Sequence, residues 1–496
     1  MARFGFVGPS YTARSTAAAA EECINWFAES IGSQGSIISS KAYGGANALN
    51  IKNYFWTPGT ALFSALPQGP ARGSFIANGR LFAIGGNQLY EVLVDGTFTA
   101  MGGIENDGNP ASLAFNSIQV LIVAGGRAYC FTLATNTLLE VTPQLAGTPV
   151  QCDGTDTYFI VSFANSNKFQ MSQVLDGTTW PGQLVNEVSV FPDNITSIIV
   201  NHRELWVFGP KRSQPYQDTG STEVFDVIPG AMIENGSAAT FAVARADNSV
   251  FWIGQDERGG RVAWRSNGYI PARISTYAVE TDFTTYTAAQ ITAMTSYAYQ
   301  DAGHFYWVLY VPGSSWSWVF DIGEGLWHKR AKWTGNAFQA HWGWNHVYAF
   351  GKHLLGDWNS GNLYDLSMLN LTDNGGAIRR LRQAPTVGDE MKWLSHRQLT
   401  IDFDTGQGPQ PPLVDGAGEP RDPQCMLQWS DDRGKTWSNE LILNCGQAGN
   451  FRVRAVQRRL GRSRYRVYRV SVTDPIKWTI VDAYLDAPAS SATGTN

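Results

Sequence analysis

An all-β fold is predicted, a β-propeller of about six blades followed by a C-terminal β domain, and three observations carry that reading. A turn-strand-glycine unit recurs along residues 78–366. Among 496 residues, 51 are glycine and 12% are aromatic, with 18 tryptophans, which suits many short strands whose large side chains fill a core while glycines make the turns. Beyond a boundary near 385, a Pro/Gly-rich stretch without periodicity, GQGPQPPLVDGAGEPRDP at 406–423, joins two further strands, HRQLTIDFDTG and QCMLQWSDDRGKTWS.

Taken in order, residues 1–71 form an N-terminal segment. An alanine run at 16–27, containing Glu21 and Glu22 and preceded by the possible N-cap Ser15, predicts a short helix, and the segment is expected to supply a latch strand that closes the propeller. Residues 72–385 form the propeller. Its copies are NGRLFAIGGNQLYEV from 78, VAGGRAYCFTL from 123, NHRELWVFG from 201, DNSVFWIGQ from 247, DAGHFYWVLYV from 301 and NHVYAFGKHLLGDWNSGNLYDL from 345. Most copies start about 40 to 55 residues apart, the length of a four-stranded blade that buries its faces only against neighbours, with one wider gap. Gly85-Gly86-Asn87 and Ser360-Gly361-Asn362 read as hairpin turns. Pro385 marks a boundary, and 386–486 form a C-terminal β domain ending in two strands joined by Asp474-Pro475. Residues 487–496 are small and polar, a frayed tail.

Net charge is -5, so the chain as a whole is no polyanion binder, and any nucleic-acid contact must come from a local stripe. Five cysteines, an odd number without a C-x-x-C pair, argue against a disulfide framework and fit assembly in a reducing cytoplasm. No targeting segment is evident, and the strongest apolar run, 305–311, is too short to span a bilayer.

Two constellations stand out. Ser430-Asp431-Asp432-Arg433-Gly434-Lys435-Thr436-Trp437 matches the Asp-box of sialidase-like propellers, S-x-D-x-G-x-T-W. There Ser430 and Asp432 would bond turn amides, Gly434 would permit a positive φ and Trp437 would pack beneath, a turn-stabilising role rather than a catalytic one. Gly434-Lys435-Thr436 is no phosphate loop, because Trp429 occupies the first glycine position. Eight arginines, Arg452, Arg454, Arg458, Arg459, Arg462, Arg464, Arg466 and Arg469, crowd eighteen residues. In an extended strand Arg462, Arg464 and Arg466 would share a face, either attracting a duplex without reading bases or pairing with carboxylates of a neighbouring subunit. His341, His346, His353 and Asp357 match no familiar zinc spacing. No metal, cofactor or catalytic residue is expected.

The two ends carry a resemblance. The opening FVGPSY-x-ARS with Cys23-Ile24-Asn25-Trp26, the Thr57-Pro58-Gly59 turn, FDTG at 403–406, the box at Ser430 and the closing RRLGRSRYRVYRVSVTDP resemble the packaged-DNA stabilisation proteins, the tail hub or nozzle family, of short-tailed bacteriophages. The resemblance implies a structural virion protein without catalysis: a ring, expected to be a homo-hexamer, assembled in the host cytoplasm. That ring would sit below the portal and adaptor, continue the conduit for double-stranded DNA, retain and eject the genome, and offer sites to tailspikes or fibres and a needle or plug. The rival class is a carbohydrate-active or glycan-binding sialidase-like propeller, which would turn over or bind a glycan alone.

Overall fold

A computed structural model of the protein describes residues 2–7, 14–31, 51–155, 157–188, 193–220, 224–255, 260–406, 408 and 412–489. Residues 8–13 of the opening motif, part of the 406–423 connection and residues 490–496 of the expected tail lie outside them. The chain divides into two compact units, one of residues 60–317 and 340–367, the other of residues 1–59, 318–339 and 368–496.

The first unit is a propeller. Six complete four-stranded antiparallel sheets are present among the described residues, the first being Ala71–Ala77, Arg80–Gly85, Gln88–Val92 and Phe98–Gly103. In the last, Gly343–Ala349, Lys352–Asp357 and Asn362–Ser367 are joined by Gly59–Ala65, so a strand from before the first blade completes the final one. The hairpin Thr295–Asp301 and His304–Tyr310 holds one further position. Hydrogen bonds between innermost strands run right round the unit: Ala111 N–H to Arg72 O, 3.0 Å; Cys152 N–H to Ser112 Oγ, 2.8 Å; Ile198 N–H to Gln151 Oε1, 2.9 Å; Ser197 Oγ to Thr240 O, 2.8 Å; Ser296 N–H to Phe241 O, 2.8 Å; Thr295 Oγ1 to Trp344 O, 3.2 Å; and Trp344 Nε1 back to Ala71 O, 2.7 Å. The circuit therefore has seven positions. Apolar clusters sit between successive sheets, as where Phe82, Ile84 and Leu89 meet Val120, Ile122 and Phe131, which is why no blade is stable singly.

The recurring sequence unit is a two-residue hairpin. Residues 78–79, 125–126, 202–203, 247–248, 302–303 and 350–351 all have positive φ at both positions; 125–126 join the second and third strands of their blade, and the other five join an innermost strand to the next. Such turns match the right-handed twist of the strands. The wide gap between the copies at 123 and 201 holds the sheet beginning Pro149–Gly154, whose link to Phe159–Phe163 is longer and lacks the motif.

The second unit packs two sheets face to face. One orders Trp26–Ile31, Ile51–Trp56, Thr479–Asp486, Gln398–Phe403 and Ala455–Arg458, with Ala2–Phe4 also on Thr479–Asp486. The other orders Leu326–Trp333, Glu22–Ile24, Arg380–Gln383, Tyr465–Val472, Gln424–Ser430 and Leu441–Asn444. Trp26, Tyr54, Ile401, Leu427, Tyr468, Trp478 and Ile480 share the core between them. The two C-terminal strands thus lie in opposite sheets, and the Asp474 carboxylate pins their connection by accepting from Arg421 Nη1 at 2.9 Å and Gln424 N–H at 2.8 Å.

Two expectations are corrected. The expected helix over 16–27 is absent: Ser15 accepts from Ala17 N–H at 3.3 Å within a turn, and Glu22–Ile24 and Trp26–Ile31 are strands. Cys23 and Trp26 are buried in the sandwich core, and that burial overrides the alanine run's helical propensity. The grouping also departs from boundaries at 72 and 385, because Leu326–Trp333 and Arg380–Gln383 pair with Glu22–Ile24 and so belong with the C-terminal strands.

Candidate functional site

The Asp-box forms as a turn between Gln424–Ser430 and Leu441–Asn444. Ser430 Oγ donates to Asp432 Oδ1 at 2.6 Å and accepts from Gly434 N–H at 2.7 Å. Asp432 also accepts from Lys435 N–H and Thr436 N–H, both at 2.9 Å, and from Thr436 Oγ1 at 2.6 Å. These donors, the Ser430 and Thr436 hydroxyls foremost, hold its carboxyl well below the usual range. Gly434 has φ +91. Trp437 packs against the guanidinium of Arg469, whose Cζ lies 3.8 Å from the ring centroid. The Asp432 carboxylate is spent on the turn, so Asp432→Ala lowers the melting temperature of this domain and removes no reaction; an unchanged melting curve would contradict it.

The arginine stripe does not form one row. Its strand is broken, with Arg462–Ser463 paired to Leu394–Ser395 while Tyr465–Val472 lies in the second sheet. Arg466 turns inward, 2% exposed, with Nε and Nη2 on the Asp431 carboxylate at 2.6 and 2.8 Å and Nη1 on Leu460 O. Arg469 is half-buried and gives Nη2 to Gln428 Oε1 at 2.6 Å. Arg452, Arg454, Arg458, Arg459, Arg462 and Arg464 are exposed. Trp393, 44% exposed, has the Arg464 and Arg462 guanidiniums 5.1 and 5.6 Å from its ring, cation–π contacts that hold both arginines at one place on the surface. The site is therefore six surface arginines, two of them seated on one tryptophan.

Other functional-looking groups went unrecognised in the sequence. Arg380 and Arg382 are fully buried, and Arg382 bonds Glu21 at 3.0 Å and Phe6 O at 2.7 Å; the alternation RRLRQ resembles an exposed face, and only the distant Glu21 could have hinted otherwise. Ser463, His396 and Tyr468 form a buried chain, with Ser463 Oγ to His396 Nε2 and His396 Nδ1 to Tyr468 OH both 2.8 Å. It resembles a nucleophile with its base, but Ser463, His396 and Tyr468 are 3%, 1% and 0% exposed, so the fold closes the serine off from any substrate.

Burial, then the Arg466 charge, lowers the His396 pKa from 6.5 to about 4. A histidine depressed in the folded state destabilises it as pH falls below the unfolded value, so the loss runs from about 6.5 down to about 4. His396→Gln flattens the fall in melting temperature across that window. In the propeller, His346 and His353 share a hydrogen bond of 3.1 Å, and Asp357 accepts from Asn359 N–H at 2.9 Å. No cluster able to hold a metal occurs among the described residues.

Residues 47–369 match the family described as "Bacteriophage P22 Gp10, beta-propeller" and residues 379–487 that described as "Bacteriophage P22 Gp10, beta-sandwich". The chain belongs to the phage P22 Gp10 family. It is a bacteriophage structural tail protein and a virion component, and Gp10 is not a known enzyme family. No curated protein matches by sequence. Among solved structures, the chain is 12% identical to the N-terminal domain of Nup159, covering 63% of this chain and 95% of that one with a TM-score of 0.40. With the Myceliophteria thermophila Cps50 (Swd1) β-propeller domain it shares 8%, covering 62% and 99% with a TM-score of 0.42. Likenesses this low carry no argument about function. No helix among the described residues is long and apolar enough to cross a membrane.

Proposed function

We propose that this Gp10 family chain is the tail hub or nozzle of a short-tailed phage, a non-catalytic homo-hexameric ring. It attaches below the portal and adaptor, carries tailspikes or fibres and a needle or plug, and holds packaged double-stranded DNA until ejection. The observation that carries the DNA contact is the exposure of six arginines on one domain of a chain whose net charge is -5. Repeated around a ring, they present a dense positive surface to phosphates, with neither base readout nor strong affinity at high salt.

The test replaces Arg458, Arg462 and Arg464 with serine together, sparing the inward Arg466. Duplex binding is expected to be independent of sequence and to fall linearly on a log–log plot against salt. The slope should become shallower in the variant by about 0.9 for each phosphate that is no longer neutralised, with particles that assemble yet leak DNA. Rings that fail to form would assign these arginines to a subunit contact, and intact rings with full DNA retention would end both readings. Glycan turnover by the purified chain would restore the carbohydrate-active alternative.

A further inference from the structure

Cys425 and Cys445 are diagonal neighbours across one hairpin of the sandwich core, and neither the Asp-box nor the arginine surface uses them. Cys425 is paired opposite Leu443 of Leu441–Asn444. Cys445 directly follows that strand and gives its N–H to Pro423 O at 2.8 Å. Residues 423, 425, 443 and 445 therefore point to the same side of the hairpin. The Cys445 thiol donates to Leu443 O at 3.8 Å, and the neighbouring Cys445 thiol, together with burial, pushes the Cys425 thiol pKa up. Both side chains are buried, 0% and 3% exposed. Leu441–Asn444 is a four-residue strand at the sheet edge, and Gly446, with φ +80, gives the chain after Cys445 room to adjust.

We propose that Cys425 and Cys445 are a latent disulfide, closed by a peroxide-class oxidant when the protein meets oxidising surroundings. One sulfur, as thiolate, attacks a peroxide oxygen; the S–O bond forms, the O–O bond breaks, and the departing hydroxide takes up a proton as water. The second sulfur attacks the resulting sulfenic acid, the S–S bond forms and the S–O bond breaks, releasing a second water. Two electrons pass from the sulfurs to the peroxide, and no other reactant is needed. The first step is slow in the closed fold, since burial and the neighbouring thiol disfavour the thiolate, and opening of the short edge strand admits the oxidant. The adjacent thiol then captures the sulfenic acid before further oxidation. The bond closes a loop containing the whole Asp-box and Asp431, so oxidation staples the turn that holds Arg466.

The test treats the folded full-length protein with hydrogen peroxide, denatures it in alkylating reagent and maps peptides without reductant. The expected product is a Cys425–Cys445 cross-linked peptide from a protein lighter by two hydrogens, with Cys23, Cys130 and Cys152 alkylated and a higher melting temperature that dithiothreitol reverses. Cys445→Ser should give no cross-link and a sulfinic acid at Cys425. Sulfinic acids without a cross-link in the wild-type protein, a bridge through Cys23, or full alkylation of Cys425 and Cys445 after prolonged treatment would overturn the proposal. The wild-type map decides even where the variant folds poorly.

Discussion

Replacing Arg466 by alanine lowers the stability of the sandwich domain by about 3 kcal/mol, whereas alanine at Arg452, Arg454 or Arg459 changes it by less than about 0.5 kcal/mol. The difference follows from where each guanidinium ends. Arg466 bonds the Asp431 carboxylate through two nitrogens and Leu460 O through the third, and its Cζ sits 5.4 Å from the Trp429 ring centroid. Asp431 is 48% exposed, so it rehydrates when its partner goes and that part of the loss is small. The larger parts are the void left by a buried side chain and the unpaired Leu460 carbonyl. Lysine at 466 restores charge without the bidentate fork and should recover less than half of the loss. Denaturant unfolding followed by tryptophan fluorescence measures it; a midpoint for Arg466→Ala equal to that of Arg452→Ala would refute this account.

The same arginine shows what sequence alone can and cannot convey. Period-two alternation and hairpin turns depend on neighbours a few residues away, so the propeller class, the repeated turns at 78–79 through 350–351 and the internal chemistry of the Asp-box were all legible. The side of a strand that faces inward depends on what lies opposite. Arg462, Arg464 and Arg466 alternate as a row would, yet Arg462 pairs with Ser395 while Arg466 faces Val387 and meets Asp431, and nothing local marks the break between them. The alanine-rich segment misled for the same reason: Cys23 pairs with Arg382, more than three hundred residues away. One short helix that does form, Ala288–Thr292, is marked by a local signal, since Thr287 and Gln290 make a complete capping box before it. The blade starting at Pro149 lacks the two-residue turn, so a search for repeats passes over it although its core is ordinary.

Gly361→Ala opens the propeller, because the close approach it blocks is the one that closes the ring. A Cβ at Gly361 would lie 2.2 Å from Gln68 O and 2.5 Å from Leu66 O, backbone atoms that cannot swing away as a side-chain end could. These atoms follow Gly59–Ala65, the strand that completes the last sheet, and the junction is held by Leu66 N–H to Gly361 O at 3.1 Å and Ala71 N–H to Ser360 O at 2.9 Å. Relieving the clash moves the latch off the sheet and breaks these bonds, so the cost reaches or exceeds the upper end of the overpacking range, about 3 kcal/mol. The bonds from Trp344 Nε1 and Asn345 Nδ2 to Ala71 O, both 2.7 Å, reach the first blade and not the latch. With the latch displaced, the seam between first and last blades loosens and its apolar faces open, where Leu81, Ala83 and Val92 meet Val347, Leu354 and Leu363. Gly182→Ala is the control: a Cβ there meets nothing within 4 Å, and its melting temperature should match the wild type. Limited proteolysis reports the site of opening, with Gly361→Ala cut first near residues 66–70 and the wild type resistant there. Equal melting temperatures and equal cleavage patterns for the two variants would mean that the ring is closed by something other than this strand.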